Sequence, residues 1–303
     1  MTGAGEQPGP ASAARAHGAD LDLAVGIDVG GTKIAVGLVE RSRGELLVER
    51  RAPTLPAEGG QAVLERSVAL VREVLAAARV GVPVPVGIAL CELVDREGRP
   101  ASADTVDWRA LDPVERFAEV GPAVLESDVR AAALAEARFG ALSGARSGVL
   151  VIIGTGVASC LVLDGRPWPG AHGAAITLGS RPLARGVPAL ESFASGGAIA
   201  RLAGAADARA AFFAAESGDE RARAVVEEAV AALGGAVATI VNLLDPERVV
   251  LGGGIGSAPG LAARIAAAAR PFIYAPAARE VPIVPAALGD RAGVVGAALR
   301  APA

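Results

Sequence analysis

The chain has 303 residues, 52% of them apolar and 20% charged, with a formal net charge of −4. That is enough apolar material for one large domain or two medium ones, and it excludes disorder over most of the length. Acids and bases are interspersed, which argues against a nucleic-acid or anionic-membrane binder. The two cysteines, Cys91 and Cys160, exclude a disulfide framework and fit a reducing, cytoplasmic setting.

Residues 1–20 are Ala, Gly, Pro and polar residues without an apolar stretch, so they read as a disordered tail and not a signal peptide. No apolar run is long enough to suggest a bilayer span. Leu21 to Asp28 predicts a buried strand, Ile34 to Arg41 a second and Leu46 to Arg51 a third, joined by short turns into an antiparallel meander. Gln61 to Arg79 carries Val63, Ser67, Leu70, Val74 and Leu75 at helical spacing. Val84 to Leu90 predicts a buried strand. Asp112-Pro113-Val114-Glu115 has the acid cap, N1 proline and N3 glutamate of a helix start. Val124 to Glu126 predicts a short strand running into a helix over 128–140, where Ser127 is placed to cap.

The pattern then restarts. Strands are predicted at 148–153 and 157–163 around Gly154-Thr155-Gly156, then helices near 190–203, 206–216 and 219–244. A strand at 248–251 ends in Gly252-Gly253-Gly254, followed by a helix near 258–270, a strand at 281–288 and a helix at 291–300. Each half opens with strand, glycine turn, strand, and continues with strands and helices. The prediction is α/β: two duplicated domains with a cleft between them. The N-terminal domain is set at 21–123 and the C-terminal one at 124–290, with the segment 291–303 packing back on the first.

Several stretches suit phosphate chemistry. Gly26-Ile27-Asp28-Val29-Gly30-Gly31-Thr32-Lys33 is not a P-loop, because Lys follows Thr and a strand follows the glycines. It fits a hairpin whose turn N–H groups face an anion, with Asp28 near its metal ion; a plain tight turn with an acidic cap fits the local residues equally. Gly154-Thr155-Gly156 repeats the device, again with an ordinary turn as the alternative. Gly252-Gly253-Gly254 admits a flat ring close to the backbone or is simply a flexible turn. Asp128, at a helix start, can take a proton from an attacking hydroxyl or merely cap the helix.

These motifs, with Asp128 to Ala141, Leu163-Asp164-Gly165, Gly170 to Ala175, Ala189 to Gly196 and Val250 to Gly254, resemble the ROK family of sugar kinases and sugar-responsive repressors. The resemblance implies an actin/hexokinase-type (ribonuclease H-like) fold that binds ATP and a sugar in the cytoplasm. It also suggests a homodimer. The chain shows only a short tail ahead of Asp28, which favours a kinase over a DNA-binding repressor. By the resemblance, Asp28 holds Mg²⁺ through water and Asp128 is the catalytic base. Gly30, Gly31, Thr32 and Lys33 form one phosphate loop, Gly154, Thr155 and Gly156 the other, and Gly252, Gly253 and Gly254 lie against adenosine. Glu191 is a sugar contact.

The departures from the family pattern concern the acceptor. Thr177 and Ser180 stand where the family has Glu and a zinc-binding His, and its zinc cysteines are absent, so no zinc is expected. His172 lies in the Gly-Ala-His-Gly stretch, away from the ligand position. Cys91-Glu92 replaces Pro-Gly, and Asp104 replaces the Asn four residues before Trp108. Ser127 and Arg130 replace the Asn residues flanking the catalytic Asp. A carboxylate in place of a carboxamide suits a ligand ammonium. The expectation is an amino sugar, with Asp104 and Glu92 pairing its ammonium, of which kanosamine (3-amino-3-deoxyglucose), phosphorylated on its 6-hydroxyl, is the specific case. Glucose, a C7 cyclitol and a non-catalytic sugar-binding role are the alternatives.

Overall fold

The computed structural model describes residues 21–182 and 184–303; the tail assigned to 1–20 lies outside them. The first half runs β1 (Leu23–Val29), β2 (Lys33–Glu40), β3 (Glu45–Pro53), α1 (Gly60–Ala78), β4 (Val86–Leu90), α2 (Pro113–Arg116), β5 (Ala123–Ser127) and α3 (Asp128–Phe139). The second runs β6 (Ser147–Ile153), β7 (Val157–Leu163), β8 (Arg166–Pro167), α4 (Glu191–Ala194), α5 (Gly196–Ala203), α6 (Ala208–Glu216), α7 (Glu220–Leu244), β9 (Arg248–Gly252), α8 (Gly253–Gly256), α9 (Leu261–Ala269), β10 (Ile283–Pro285) and α10 (Ala292–Arg300).

The two sheets have one topology. The first is ordered β3-β2-β1-β4-β5 and the second β8-β7-β6-β9-β10. In each, an antiparallel hairpin opens the sheet and its first strand pairs in parallel with the fourth. This is the duplicated actin/hexokinase-like α/β fold.

Three apolar layers hold it together. Val63, Val71 and Val74 of α1 pack against Ile27, Val36 and Ile88 on one face of the first sheet. Leu233, Val237 and Val241 of α7 do the same for Val149, Val151 and Leu251 of the second. Between the sheets lie α3 and α10, in a core of alanines with Leu150, Cys160, Val294 and Val295. The two helices exchange partners. The helix that follows the first sheet, α3, contacts β6, β7 and β8, whereas α10, which follows the second, contacts β1, β2 and β4.

The close seat of α10 explains three glycines in strand interiors, positions that ordinarily disfavour glycine. Register places Gly37, Gly26 and Gly87 in one row across β2, β1 and β4. A Cβ on Gly26 would fall on the Val294 carbonyl, and one on Gly87 on the Ala297 carbonyl. On its other side α10 presents Gly296 to the Ala131 carbonyl of α3. Small residues on both sides let the helix backbone sink between sheet and helix.

Several expectations need correction. The strand before Asp128 pairs in parallel with β4, Val86 opposite Ala123 through Leu90 opposite Ser127, so it completes the first sheet. A boundary at 123/124 therefore cuts one strand too early. The helix expected over 190–203 breaks at Ser195, whose hydroxyl caps α5 by accepting the Ala198 N–H at 3.4 Å. The strand expected over 281–288 shrinks to Ile283–Pro285. Ser127 is at the N-cap of α3 but makes no capping bond; its buried hydroxyl has no partner among the described residues. Finally, α7 is long and apolar enough to cross a membrane by length and composition, although half of its most apolar window is packed inside the fold.

Candidate active site

The two glycine hairpins face each other. In the first, the Gly30 N–H donates to the Lys33 carbonyl at 3.0 Å. Thr54, buried just past β3, braces that turn: its hydroxyl donates to the Gly30 carbonyl at 2.7 Å and its N–H to the Thr32 carbonyl at 3.0 Å. In the second, the Gly154 N–H donates to the Gly156 carbonyl and the Gly154 carbonyl accepts from Gly196. A Cβ on Gly31 would stand 3.5 Å from Thr155 Cγ2 and 3.4 Å from Thr105 Cγ2. The tips of both hairpins and the loop carrying Thr105 thus meet at one point, with Thr32 and Thr155 exposed beside it.

Behind the hairpin tips lie two interacting acidic side chains. Asp28, near the end of β1, has its carboxyl raised to about 6, first by burial and then against the pull of Lys33. Asp128, the first residue of α3, is raised to about 8 by burial and then by the charge of Asp28, while the Val129 N–H donates to its Oδ1 at 2.7 Å. The carboxylate of Asp28 lies against Gly293 of α10, where a Cβ would collide with Oδ2. Lys33 does not hang free. Its Nζ is 2.9 Å from Asp290 Oδ2, which Arg51 also approaches at 3.3 Å. Cys91 sits in the same charge field, its thiol pushed up by burial and then by Asp128 and Glu92. Held in its thiol form, it is unreactive there.

Glu92 is not where a ligand-reading group would be. It is 2% exposed. Its carboxylate accepts the Ser102 hydroxyl and the N–H groups of Asp104 (2.9 Å), Thr105 (2.6 Å) and Val106 (2.9 Å). With its acceptor sites engaged by these donors, it fixes the loop and does not meet a substrate ammonium. Asp104, whose N–H it holds, is exposed, and no hydrogen bond or ion pair of its carboxylate occurs among the described residues. Arg109, on the same loop, pairs with Asp107. Trp108 is buried in the first core, so it packs.

The remaining predicted residues fall on the second lobe. Glu191 accepts the Val157 N–H at 3.2 Å, and a Cβ on Gly156 would lie 2.9 Å from its Oε2. It therefore borders the second hairpin. Thr177 bridges to Ala158 on β7, and Ser180 and His172 are exposed. Gly252 ends β9; Gly253 has a left-handed φ of 83° and a Cβ there would come 2.6 Å from the Ile153 carbonyl, while Gly254 faces open space. Among the described residues no group of three or more His, Cys, Asp or Glu is arranged to hold a metal ion.

Sequence reading missed Thr54, Thr105, Asp290 and Gly293. Each acts through chain pairing or helix seating, which leaves no local motif. The one available signal was the pair of glycines, Gly293 and Gly296, inside an otherwise apolar helix.

Two lobes of one topology, joined by an exchanged helix pair and with opposed glycine hairpins at their junction, define the actin/hexokinase class of α/β fold. The chain belongs to the ROK family, whose model matches residues 24–303. It is 36% identical over 283 residues to the bifunctional enzyme NanE/NanK of Brucella melitensis, covering 89% of this chain and 52% of that protein. The chain thus spans about half the length of that relative. Among solved structures, the ROK family glucokinase of Streptomyces griseus in complex with glucose and AMPPNP superposes with a TM-score of 0.82 at 26% identity, over 92% of this chain and 99% of that one. The ROK hexokinase of Thermus thermophilus gives 0.74 at 32%, over 92% and 97%.

Proposed function

We propose that the chain is an ATP-dependent sugar kinase that phosphorylates the 6-hydroxyl of a hexose, with an amino sugar such as kanosamine as its acceptor. The observation that carries the phosphotransfer reading is the meeting of the two glycine hairpins in front of two carboxylates, Asp28 and Asp128. The donor side is built from Gly30, Gly31, Thr32 and Lys33 of one hairpin and Gly154, Thr155 and Gly156 of the other, with Gly252 to Gly254 beside adenosine. In-line phosphoryl transfer needs positioning and charge neutralisation more than covalent chemistry, and this set supplies both in kind. An Asp28 carboxylate in a field of like charge suits a hard divalent cation. Mg²⁺, held through Asp28, would neutralise charge on the phosphates. Asp128 would take the proton of the attacking hydroxyl; loss of like charge beside it lowers its affinity for a proton and readies it as a base.

The acceptor assignment rests on Asp104, an exposed carboxylate held in place through its backbone by Glu92. An ammonium within reach would form a charge-assisted hydrogen bond there. On this reading Glu92 positions the loop, Glu191, Thr177 and Ser180 line the opposite wall, and zinc has no part. Glucose is the second reading, favoured by the likeness to the Streptomyces griseus glucokinase.

The test is ATP turnover with glucose, kanosamine, glucosamine, N-acetylmannosamine and a C7 cyclitol in parallel. Kanosamine is expected to give the highest kcat/KM. Equal turnover of glucose would overturn the ammonium argument. No turnover with any of them, with AMPPNP still bound, would leave a non-catalytic sugar-binding role in place of the kinase.

A further inference from the structure

Arg130 carries a structural load that neither the family likeness nor the phosphate chemistry requires. Its side chain is 4% exposed, two residues past Asp128 on the first turn of α3. Its Nε donates to Glu126 Oε1 at 2.6 Å, Nη2 to the Val94 carbonyl at 2.7 Å and Nη1 to the Gly173 carbonyl at 2.5 Å. Glu126 is held in turn by the Ser127 N–H at 2.8 Å and by Arg300 Nε of α10 at 3.2 Å.

The two carbonyls belong to different loops. Val94 is in the loop after β4, which carries Glu92 and Asp104. Gly173 is in the loop after β8, which continues to Thr177 and Ser180. These loops abut, since a Cβ on Gly173 would stand 2.8 Å from Asp95 Cα. Among the described residues no hydrogen bond runs directly from one loop to the other; the guanidinium is the polar link between them. A planar fork with donors in fixed directions sets the spacing of two carbonyls in a way that an ammonium or an apolar side chain of similar length does not.

Resting on the acceptor reading above, we propose that Arg130 is a positioning residue, whose guanidinium fixes the two acceptor-side loops to each other and to the helix that bears Asp128. Substrate need not touch it. The walls of the acceptor site come from different lobes, and Arg130 is what makes them one rigid surface.

The experiment compares Arg130→Met, which keeps the stem and removes the donors, with Arg130→Lys, which keeps the charge and one donor group. Amide hydrogen exchange is followed by mass spectrometry on the unliganded proteins. In Arg130→Met, exchange is expected to rise about tenfold in both 92–106 and 170–180, with the β1–β2 hairpin and α7 unchanged; Arg130→Lys restores part of the protection. Acceptor KM should rise about tenfold with the KM for ATP within about twofold. A rise in one loop only, a uniform rise throughout the chain or an unchanged acceptor KM would overturn the proposal. Should Arg130→Met fail to fold, Arg130→Lys decides by the same two readouts. The exchange result does not depend on acceptor identity, so absence of turnover with every sugar removes the kinase reading, while the paired loops still decide for or against the clasp.

Discussion

Replacing Asp128 by Asn separates the cost of the site from its use. The folded chain holds a proton on Asp128 up to about pH 8, whereas the ordinary value is 3.8. Between those values the unfolded chain binds fewer protons, so this residue makes stability fall as pH rises through the window; below it, both states are protonated and the penalty vanishes. At pH 7 the part of the gap already crossed, from 3.8 upward, corresponds to about 4 kcal/mol as an upper bound. Asp128 is only partly buried and some of its shift comes from Asp28, so asparagine should recover about 1–3 kcal/mol, or roughly 2–5 °C in Tm for a chain of this size. The amide oxygen can still accept the Val129 N–H, so local geometry is kept. Turnover should fall by about a hundredfold to ten-thousandfold with loss of the base. The assay is thermal melting of both proteins from pH 4 to pH 8.5, beside ATP turnover and AMPPNP binding. A Tm difference that does not widen with pH would refute the charge argument, and near-normal turnover would remove Asp128 as the base.

Three further substitutions probe the supports of the site. Gly293→Ala would push a methyl group into the Asp28 carboxylate; it should cost about 1–3 kcal/mol by chemical denaturation and lower turnover at least about tenfold. Glu92→Gln presents an amide NH₂ to a ring of donors and should cost about 1–3 kcal/mol, with acceptor KM raised and the KM for ATP unmoved. Asp104→Asn, at an exposed position, should leave Tm within about 1 °C while shifting the kcat/KM ratio of kanosamine to glucose about tenfold toward glucose; an unchanged ratio would show that the ammonium is read elsewhere.

The strand–turn–strand openings of both halves were legible because alternating apolar runs meet glycine turns at fixed points, and those turns became the opposed hairpins of the site. Asp128 was legible for the same reason, as an acid between a strand and a helix. What escaped depended on long-range pairing. That the strand ending at Ser127 completes the first sheet follows from its parallel register with β4, to which no residue in it points. The assignment of Glu92 to the acceptor pocket assumed that a carboxylate beside a loop faces a ligand. Four donors from its own chain, spread over residues 102–106, claim it first. The hydroxyl of Ser127 fitted a capping pattern by spacing alone, but it is buried with no partner among the described residues.

The seat of α10 also bears on how the chain comes to be folded. Its helical turns lie directly on β1, β2 and β4, yet in sequence it follows the whole of the second sheet. During vectorial synthesis the first lobe must wait with one face of its sheet uncovered, its glycine row open to water, until the second lobe has emerged. Contacts of such sequence separation are slow to form. The two lobes are therefore not independent folding units laid end to end. The inner face of the first sheet is completed only by α10, so the junction of the two hairpins depends on segments from both ends of the chain.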